Sequence, residues 1–325
     1  MKILIVGGAG YIGSHMVLML RAQSHEVIVL DDLSSGHAEA VLEGCLVAGS
    51  IADTALLDRL FTDHRFEAVM HFASFIQVGE SVEKPAKYYG NNLINTVKLL
   101  DAMVRHGVDR FVFSSTAAIF GQPVYTPIDE NHPKHPINPY GRSKWMVEQV
   151  LQDYGTAYGL RSVCLRYFNA AGADPETRIG ERHDPETHLI PLLLQVASGR
   201  RESAQIFGRD YDTPDGTCIR DYIHILDLCA AHSLALADLA GGGVSAAYNL
   251  GNGSGFSVRQ VIDAVHKVTG RALHVIDGPR RAGDPARLVA DSALARQSLG
   301  WTPVYPDLDT IVSHAWDWER KLARD

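Results

Sequence analysis

The sequence is poor in cysteine. Cys45, Cys164, Cys218 and Cys229 are scattered through 325 residues, with no Cys-x-x-Cys pair among them. This excludes a disulfide framework and a cysteine zinc site, and the four thiols read as reduced core residues of a cytoplasmic protein. Long apolar runs are missing too. No stretch of about 18 apolar residues occurs, so no membrane span is expected. The opening run Met1–Val6 stops at Gly7-Gly8, too short for the core of an export signal, and reads as a first strand. Clustered positive charge is absent. The net charge is −8 with no basic block, which argues against nucleic acid as a partner. The fifteen histidines show no metal-ligand spacing, and no metal site is read; His183 and His188 lie five apart across a proline. There is no internal repeat and no low-complexity tract.

What is present is ordinary globular composition, 46% hydrophobic and 21% charged, enough for a large core in one or two domains. The strand at residues 2–6 runs straight into Gly7-Gly8-Ala9-Gly10-Tyr11-Ile12-Gly13, and Ile12, Met16, Val17 and Leu20 then recur at helical spacing. Strand, glycine turn and helix in that order form a phosphate cradle. Gly7, Gly10 and Gly13 allow the tight turn and close approach of a pyrophosphate to the helix N-terminus. A second strand, Glu26–Leu30, ends at Asp31. An acid at that distance accepts from the adenosine ribose hydroxyls and repels a 2′-phosphate, so NAD is favoured over NADP.

The alternation continues. Strands are expected at Cys45–Gly49, Ala68–Ala73, Arg110–Ser115 and Ser162–Tyr167. Helices are expected after Asp53, over Lys84–His106 and from Pro139 to about 157. This predicts an α/β fold: a Rossmann-like, doubly wound parallel sheet with a smaller mixed α/β C-terminal substrate domain. Residues 1–172 read as the NAD-binding domain, with 217–245 returning to it. Residues 173–216 and 246–325 read as the substrate domain, containing a helix over His188–Ser198, a strand over Ala204–Phe207 and a capped helix over Ser257–Thr269.

Tyr140-Gly-Arg-Ser-Lys144 carries the chemistry. Its phenol and ammonium lie one helical turn apart on one face. A tyrosine titrates near ~10, and a fixed cation beside it favours the phenolate, making a general base or acid. Asn138 is placed to cap this helix and Pro139 to begin it. The pentapeptide alone equally fits a surface helix. Thr116, at a strand's C-terminal end, can bond a substrate oxygen or merely cap the following turn. Arg220, Arg280 and Arg281 lie beside turn residues, where guanidinium forks suit phosphate oxygens.

With Gly7-x-x-Gly10-x-x-Gly13, Asp31, Ser-Ser-Thr116 and Tyr140-x-x-x-Lys144 together, the chain resembles the extended short-chain dehydrogenase/reductase family. Val78-Gly-Glu-Ser-Val, Leu165-Arg-Tyr-Phe-Asn169, Arg220-Asp-Tyr-Ile-His224 and Pro-Arg-Arg281-x-Gly-Asp284 narrow the likeness to its UDP-hexose 4-epimerase branch, over residues 1 to about 320. The resemblance implies a UDP-glucose/UDP-galactose C4 epimerase that works through a transient 4-keto sugar on tightly bound NAD, as a homodimer. It makes Tyr140 the acid/base, Lys144 the holder of the nicotinamide ribose and Thr116 a sugar contact. It places Tyr11, Ile12, and Asp31, Asp32, Leu33, Ser34, Ser35 and Gly36 at the cofactor. Ser50, Ile51, Phe72, Ala73, Ser74, Asn91 and Phe168 join them. It places Asn169, His188, Gln205, Ile206, Phe207, Arg220, Arg281, Asp284 and Leu288 at the nucleotide sugar.

The chain departs from the family pattern in places. Ser50 replaces an adenine-contacting Asp, Ile76 replaces a Lys, and His188 stands where an Asn is usual. Leu288 occupies the position that gates N-acetylated sugars, where Tyr excludes the acetamido group and a small residue admits it. UDP-glucuronate and UDP-N-acetylhexosamine 4-epimerases therefore remain alternatives. A dehydratase needs acid/base groups just after Thr116, where Ala117-Ala118 cannot transfer protons. An NAD-sensing regulator would lack the Tyr/Lys pair.

Overall fold

The computed structural model describes residues 1–281 and 284–324 of the chain. Ala282 and Gly283, inside the Pro-Arg-Arg281-x-Gly-Asp284 motif, and Asp325 lie outside the described residues.

The first half alternates as its periodicity demands. It runs β1 (Lys2–Val6), α1 (Tyr11–Ala22), β2 (Glu26–Asp31), β3 (Leu46–Ala48), α2 (Thr54–His64) and β4 (Ala68–His71). A short α3 (Val78–Glu83) follows, and then one helical rod: α4 (Pro85–Tyr88), a π-helical stretch (Tyr89–Asn95) and α5 (Thr96–Arg105). Next come β5 (Arg110–Thr116), α6 (Pro139–Tyr158), β6 (Arg161–Tyr167) and β7 (Asn169–Ala171). The second half contains α7 (Leu189–Ser198), β8 (Ala204–Phe207), β9 (Ile219–Arg220), β10 (Tyr222–His224), α8 (Ile225–Ala240) and β11 (Ala246–Leu250). It ends with β12 (Phe256–Ser257), α9 (Val258–Thr269), β13 (Val275–Gly278), β14 (Arg287–Leu288), α10 (Ala293–Leu299) and α11 (Leu308–Leu322).

Seven strands form one parallel sheet in the order β11-β6-β5-β4-β1-β2-β3. This is the doubly wound order with an extra strand, and its crevice opens beyond the C-terminal ends of the paired strands β1 and β4, where the strand order reverses. Alternate side chains of each strand serve opposite faces. Ile3 and Ile5 pack with Met16, Leu20, Leu228 and Leu236 of α1 and α8. Leu4 and Val6 pack with Leu57, Leu100, Val147 and Leu151 of α2, α5 and α6. A separate core joins α7, α9 and α11 through Leu193, Val261, Val265 and Ile311. There β8 pairs with β13, and β9 is flanked by β12 and β14. All four cysteines are buried and free. Among the described residues no helix is long and apolar enough to cross a membrane.

Two boundaries differ from the sequence reading. Ala246–Leu250, assigned to the substrate domain, is the seventh strand of the main sheet, in parallel register with Val163–Tyr167. Within residues 217–245, α8 packs on the main sheet, whereas β9 and β10 belong to small outlying sheets. The helix expected over 84–106 is interrupted by the π-helical stretch. The caps follow expectation. Asn138 Oδ1 accepts from Gly141 N at 2.8 Å with Pro139 in the first turn, and Asp53 caps α2. Ser257 and Gln260 form a reciprocal capping box on α9.

Candidate active site

The glycine turn is built as a cradle. Gly7 adopts φ +81°, and a Cβ there would strike the backbone of Ala73 at the end of β4. A Cβ on Gly13 would strike the Gly7 carbonyl oxygen, so the start of α1 lies directly on the turn. Gly10 has room for a Cβ, so its place in the pattern is less demanding than the other two. Asp31 ends β2 beside this turn. One carboxylate oxygen accepts from Ala9 N at 2.9 Å and the other from Leu33 N at 2.8 Å. Burial raises its pKa, and the two N–H donors oppose the rise. Leu33 takes the left-handed φ of +58°, Asp32 accepts from Ser34 N, and Gly36 packs so closely on Ala9 that a Cβ would collide. Ser34 and Ser35 are exposed. Ser50 caps Ala52 N, and Ile51 is buried. The bare glycine cradle, the helix N-terminus above it and the carboxylate at the end of β2 fit a dinucleotide.

Across the crevice, α6 approaches the end of β5 without a gap. A Cβ on Gly141 would meet the Ala118 carbonyl oxygen at 2.5 Å, so glycine inside the Tyr140–Lys144 motif permits the contact. Tyr140 and Thr116 are hydrogen-bonded through their side chains, and both are buried. Thr116 also accepts from Ala118 N at 3.1 Å, so it caps the turn and faces the phenol at once. Lys144 Nζ donates to Ser74 Oγ at 2.6 Å and to the Ser114 carbonyl at 2.8 Å, over the face of Phe113. Burial lowers its pKa to about 7, and Glu148 one turn further on opposes that.

The expectation of a lowered Tyr140 pKa is corrected here. Burial raises it, and only the bond from Thr116 acts the other way. The reason is geometric: the amine is spent on Ser74 and Ser114, and desolvation outweighs a neighbour that is itself pushed toward neutrality.

Sequence reasoning missed the groups that hold this constellation. Buried Asn92, in the π-helical turn, bonds Phe75 N at 2.9 Å, Phe75 O at 3.0 Å and Ser143 Oγ at 3.2 Å. It ties the loop after β4 to α6, and Asn91 donates to it. Glu148 and Arg166 form a buried ion pair at 2.6 Å, with Ser115 Oγ donating to the same carboxylate. Buried polar residues at sheet-facing positions were the available signal.

The expected sugar-nucleotide residues gather around β9 and β8. Arg220 bonds Asp284 at 2.9 Å and the carbonyls of Ile219 and Pro285. Arg281 stacks on Phe207 at 4.0 Å, while Gln205 is exposed and Ile206 points into the core. Arg280 pairs instead with Asp210 at the surface. Asn169 donates to the Asp221 carbonyl. Phe168 and Leu288 pack together against the Ile119, Phe120 and Ile128 cluster. Phe72 lies tilted against the His232 ring at 5.1 Å and leads to Ala73 and Ser74 just past the end of β4. Tyr11 spans the two halves by donating to the Gly172 carbonyl at 2.6 Å, and the Ile12 carbonyl lies against the Cys229 thiol.

His188 turns one ring nitrogen to two glutamates while its side chain stays 38% exposed. Its Nδ1 lies 2.8 Å from Glu181 and 3.0 Å from Glu186, and His183 Nδ1 lies 3.2 Å from Glu181. The four side chains form one cluster that the spacing of the histidines concealed. Burial works against the charged imidazoles, yet the two carboxylates raise His183 to about 9 and His188 to about 10.

Residues 3–251 match the model of the NAD dependent epimerase/dehydratase family. A UDP-glucose 4-epimerase of Halalkalibacterium halodurans is 54% identical over 99% of this chain and 96% of its own. The crystal structure of a Brucella ovis UDP-glucose 4-epimerase in complex with NAD superposes with a TM-score of 0.95 at 50% identity, covering 97% of each chain. A Stenotrophomonas maltophila UDP-glucose 4-epimerase, with bound NAD and formylated UDP-arabinopyranose, gives 0.96 at 39% identity, over 100% of this chain and 99% of that one.

Proposed function

The chain belongs to the NAD dependent epimerase/dehydratase family, and from that premise we propose that it inverts C4 of a UDP-hexose, interconverting UDP-glucose and UDP-galactose. The observation that carries this reading is the convergence of Tyr140, Thr116 and Lys144 near the C-terminal ends of β4 and β5, with Lys144 bonded to Ser74, next in sequence to the Ala73 on which Gly7 packs.

Gly7, Gly13 and Asp31 would hold the dinucleotide at its pyrophosphate and adenosine ribose, and Lys144 and Ser74 would meet it at the nicotinamide ribose. When bound, NAD supplies a reversible hydride acceptor for the sugar C4 and, when oxidised, a positive charge. Tyr140 Oη takes the proton of the 4-hydroxyl as that carbon becomes a ketone, and returns it after the sugar has presented its other face. Its buried phenol begins neutral, so a nearby cation must lower its pKa before it serves as base. Thr116 Oγ1 fixes the phenol and the sugar oxygen together. Arg220 and Arg281 grip the diphosphate end and leave the hexose free to turn. Asp284 and Phe207 keep the two guanidiniums aimed.

The same reading makes the protein a cytoplasmic homodimer serving galactose metabolism. Exposed apolar residues on the helices flanking the site support a subunit contact: Val82 on α3 (62% exposed), Ile94 in the π-helical turn (54%) and Tyr158 on α6 (60%).

The test is a coupled assay on UDP-galactose, UDP-N-acetylgalactosamine and UDP-glucuronate side by side, with NAD content measured on the same sample. UDP-galactose is expected to turn over fastest. Protein that retains NAD yet turns over only UDP-glucuronate would refute the UDP-hexose assignment.

A further inference from the structure

Glu181, His183 and Glu186 take no part in the reaction derived above, and His188, expected at the nucleotide sugar, joins them through its Nδ1. From this cluster we infer that the chain binds a divalent transition-metal ion of the zinc type, held by Glu181, His183 Nδ1, Glu186 Oε2 and His188 Nδ1. The donors converge without being set at ligand spacing: His183 Nδ1 lies 3.2 Å from Glu181 Oε1 and 3.5 Å from Glu186 Oε2, His188 Nδ1 lies 2.8 Å from the same Glu181 oxygen, and the four candidate atoms fall within 4.8 Å of one another, so His188 must draw back by a few tenths of an ångström to take an ion. Four-coordinate zinc, with bonds of about 2.0–2.2 Å, places neighbouring donors about 3.3–3.5 Å apart. Both rings turn the same nitrogen to the same point. The glutamate side chains are only 7% and 5% exposed, and two buried carboxylates side by side demand a cation.

A pair of protonated imidazoles is the competing source of that charge. Each would then aim an N–H at an oxygen. His188 does so; His183 Nδ1 lies near enough to both carboxylates, at 3.2 and 3.5 Å, to be raised by them, but its geometry makes no hydrogen bond to either. A lone pair directed at a central ion needs no such alignment. The supporting contacts also suit ligands. Glu186 Oε1 is held by the backbone N–H groups of Thr187 at 2.7 Å and His188 at 2.8 Å, which leaves Oε2 turned to His183. The edge of the Tyr11 ring fixes the His183 plane.

The donor set selects the metal. Imidazole with carboxylate suits zinc-like ions rather than magnesium or calcium. Four protein donors close the sphere, so the ion is structural. It would fasten a strap. Residues 181–188 touch the cofactor half through Arg182 O to His37 and Arg182 to Glu39. They touch α11 through Trp318 donating to Glu181 O, and they lead directly into α7.

The experiment uses the full chain. Purified protein is loaded with zinc, dialysed and analysed for metal, and its melting is followed before and after a strong chelator. About one zinc per chain is expected, with a Tm that falls on chelation and recovers on adding zinc. Cobalt loading should give the intense visible bands of a four-coordinate site. His183→Ala should lose the metal while keeping its bound NAD. Substoichiometric zinc with an unchanged Tm, or a six-coordinate cobalt spectrum, overturns the proposal. So does His183→Ala that still holds one zinc. If that variant fails to fold, the cobalt spectrum and melting of the unaltered chain decide.

Discussion

Lys144 reaches across from α6 to Ser74 at the end of β4, and 2.6 Å separates its Nζ from the serine oxygen. The same amine accepts no charge relief from Tyr140; it rests on the Ser114 carbonyl and is pushed by burial to a pKa of about 7. The amine therefore sits poised between its charged and neutral forms near neutral pH.

Tyr140→Phe removes the proton carrier and leaves the fold and cradle alone. It is expected to retain NAD and to lose on the order of 10² or more in kcat, the usual scale for general acid–base catalysis. Near-normal turnover in a steady-state assay would remove Tyr140 from the role.

Gly13→Ala places a methyl against the Gly7 carbonyl, where rigid backbone cannot give way. Protein of the native sequence should carry NAD through purification without any being added. The variant should emerge with far less, measured by extraction and absorbance. Equal cofactor content in the two would contradict the cradle.

Arg166→Met strands the Glu148 carboxylate in a dry site. Breaking such a pair from one side costs about 3–5 kcal/mol. Urea titration should show that loss, and a midpoint within error of the native chain would mean that water reaches Glu148.

Four buried histidines govern the acid limb of stability. Burial lowers His71 and His224 to about 3, and His15 and His232 to about 4. In the unfolded chain each titrates near ~6.5. Below that pH the unfolded chain gains protons that the folded one refuses, so the contribution of these four is full above ~6.5 and falls as the pH drops toward about 4, while His183 and His188, held up near 9 and 10, contribute the opposite way with a weaker pull of two groups against four. Melting at pH 5 should therefore lie clearly below melting at pH 7. A flat profile between the two would exclude this linkage.

Ile94→Glu and Val82→Glu each put charge on the exposed apolar face beside the π-helical turn. Light scattering should give a dimer for the native chain at micromolar concentration and a shift toward monomer for the double variant. A native monomer would end the subunit assignment.

The sheet was legible because β1 and β2 are short apolar runs closed by Gly7 and Asp31, and β5 ends in Ser-Ser-Thr116. Tyr140-Gly-Arg-Ser-Lys144 was legible for a different reason: helical spacing alone puts its ends on one face. What stayed hidden depends on contacts distant in sequence. Ala246–Leu250 has the same composition as an outlying strand, and only pairing with β6 places it. Asn92 reads as one polar residue in a long helix, and the wider π turn is what brings it to Phe75 and Ser143. Tyr140 was expected to be acidified because sequence spacing records a neighbouring cation but not the dryness around both groups.

The position of β11 bears on how the protein is made. Until residue 250 has left the ribosome, β6 has a bare outer rim, with its N–H and C=O groups open to any passing strand. A nascent chain stopped near residue 172 would hold the glycine cradle and the Tyr–Lys pair and yet lack a closing partner. Such an intermediate invites capture by chaperones, and cutting the gene at the apparent midpoint would yield aggregate rather than a self-sufficient half.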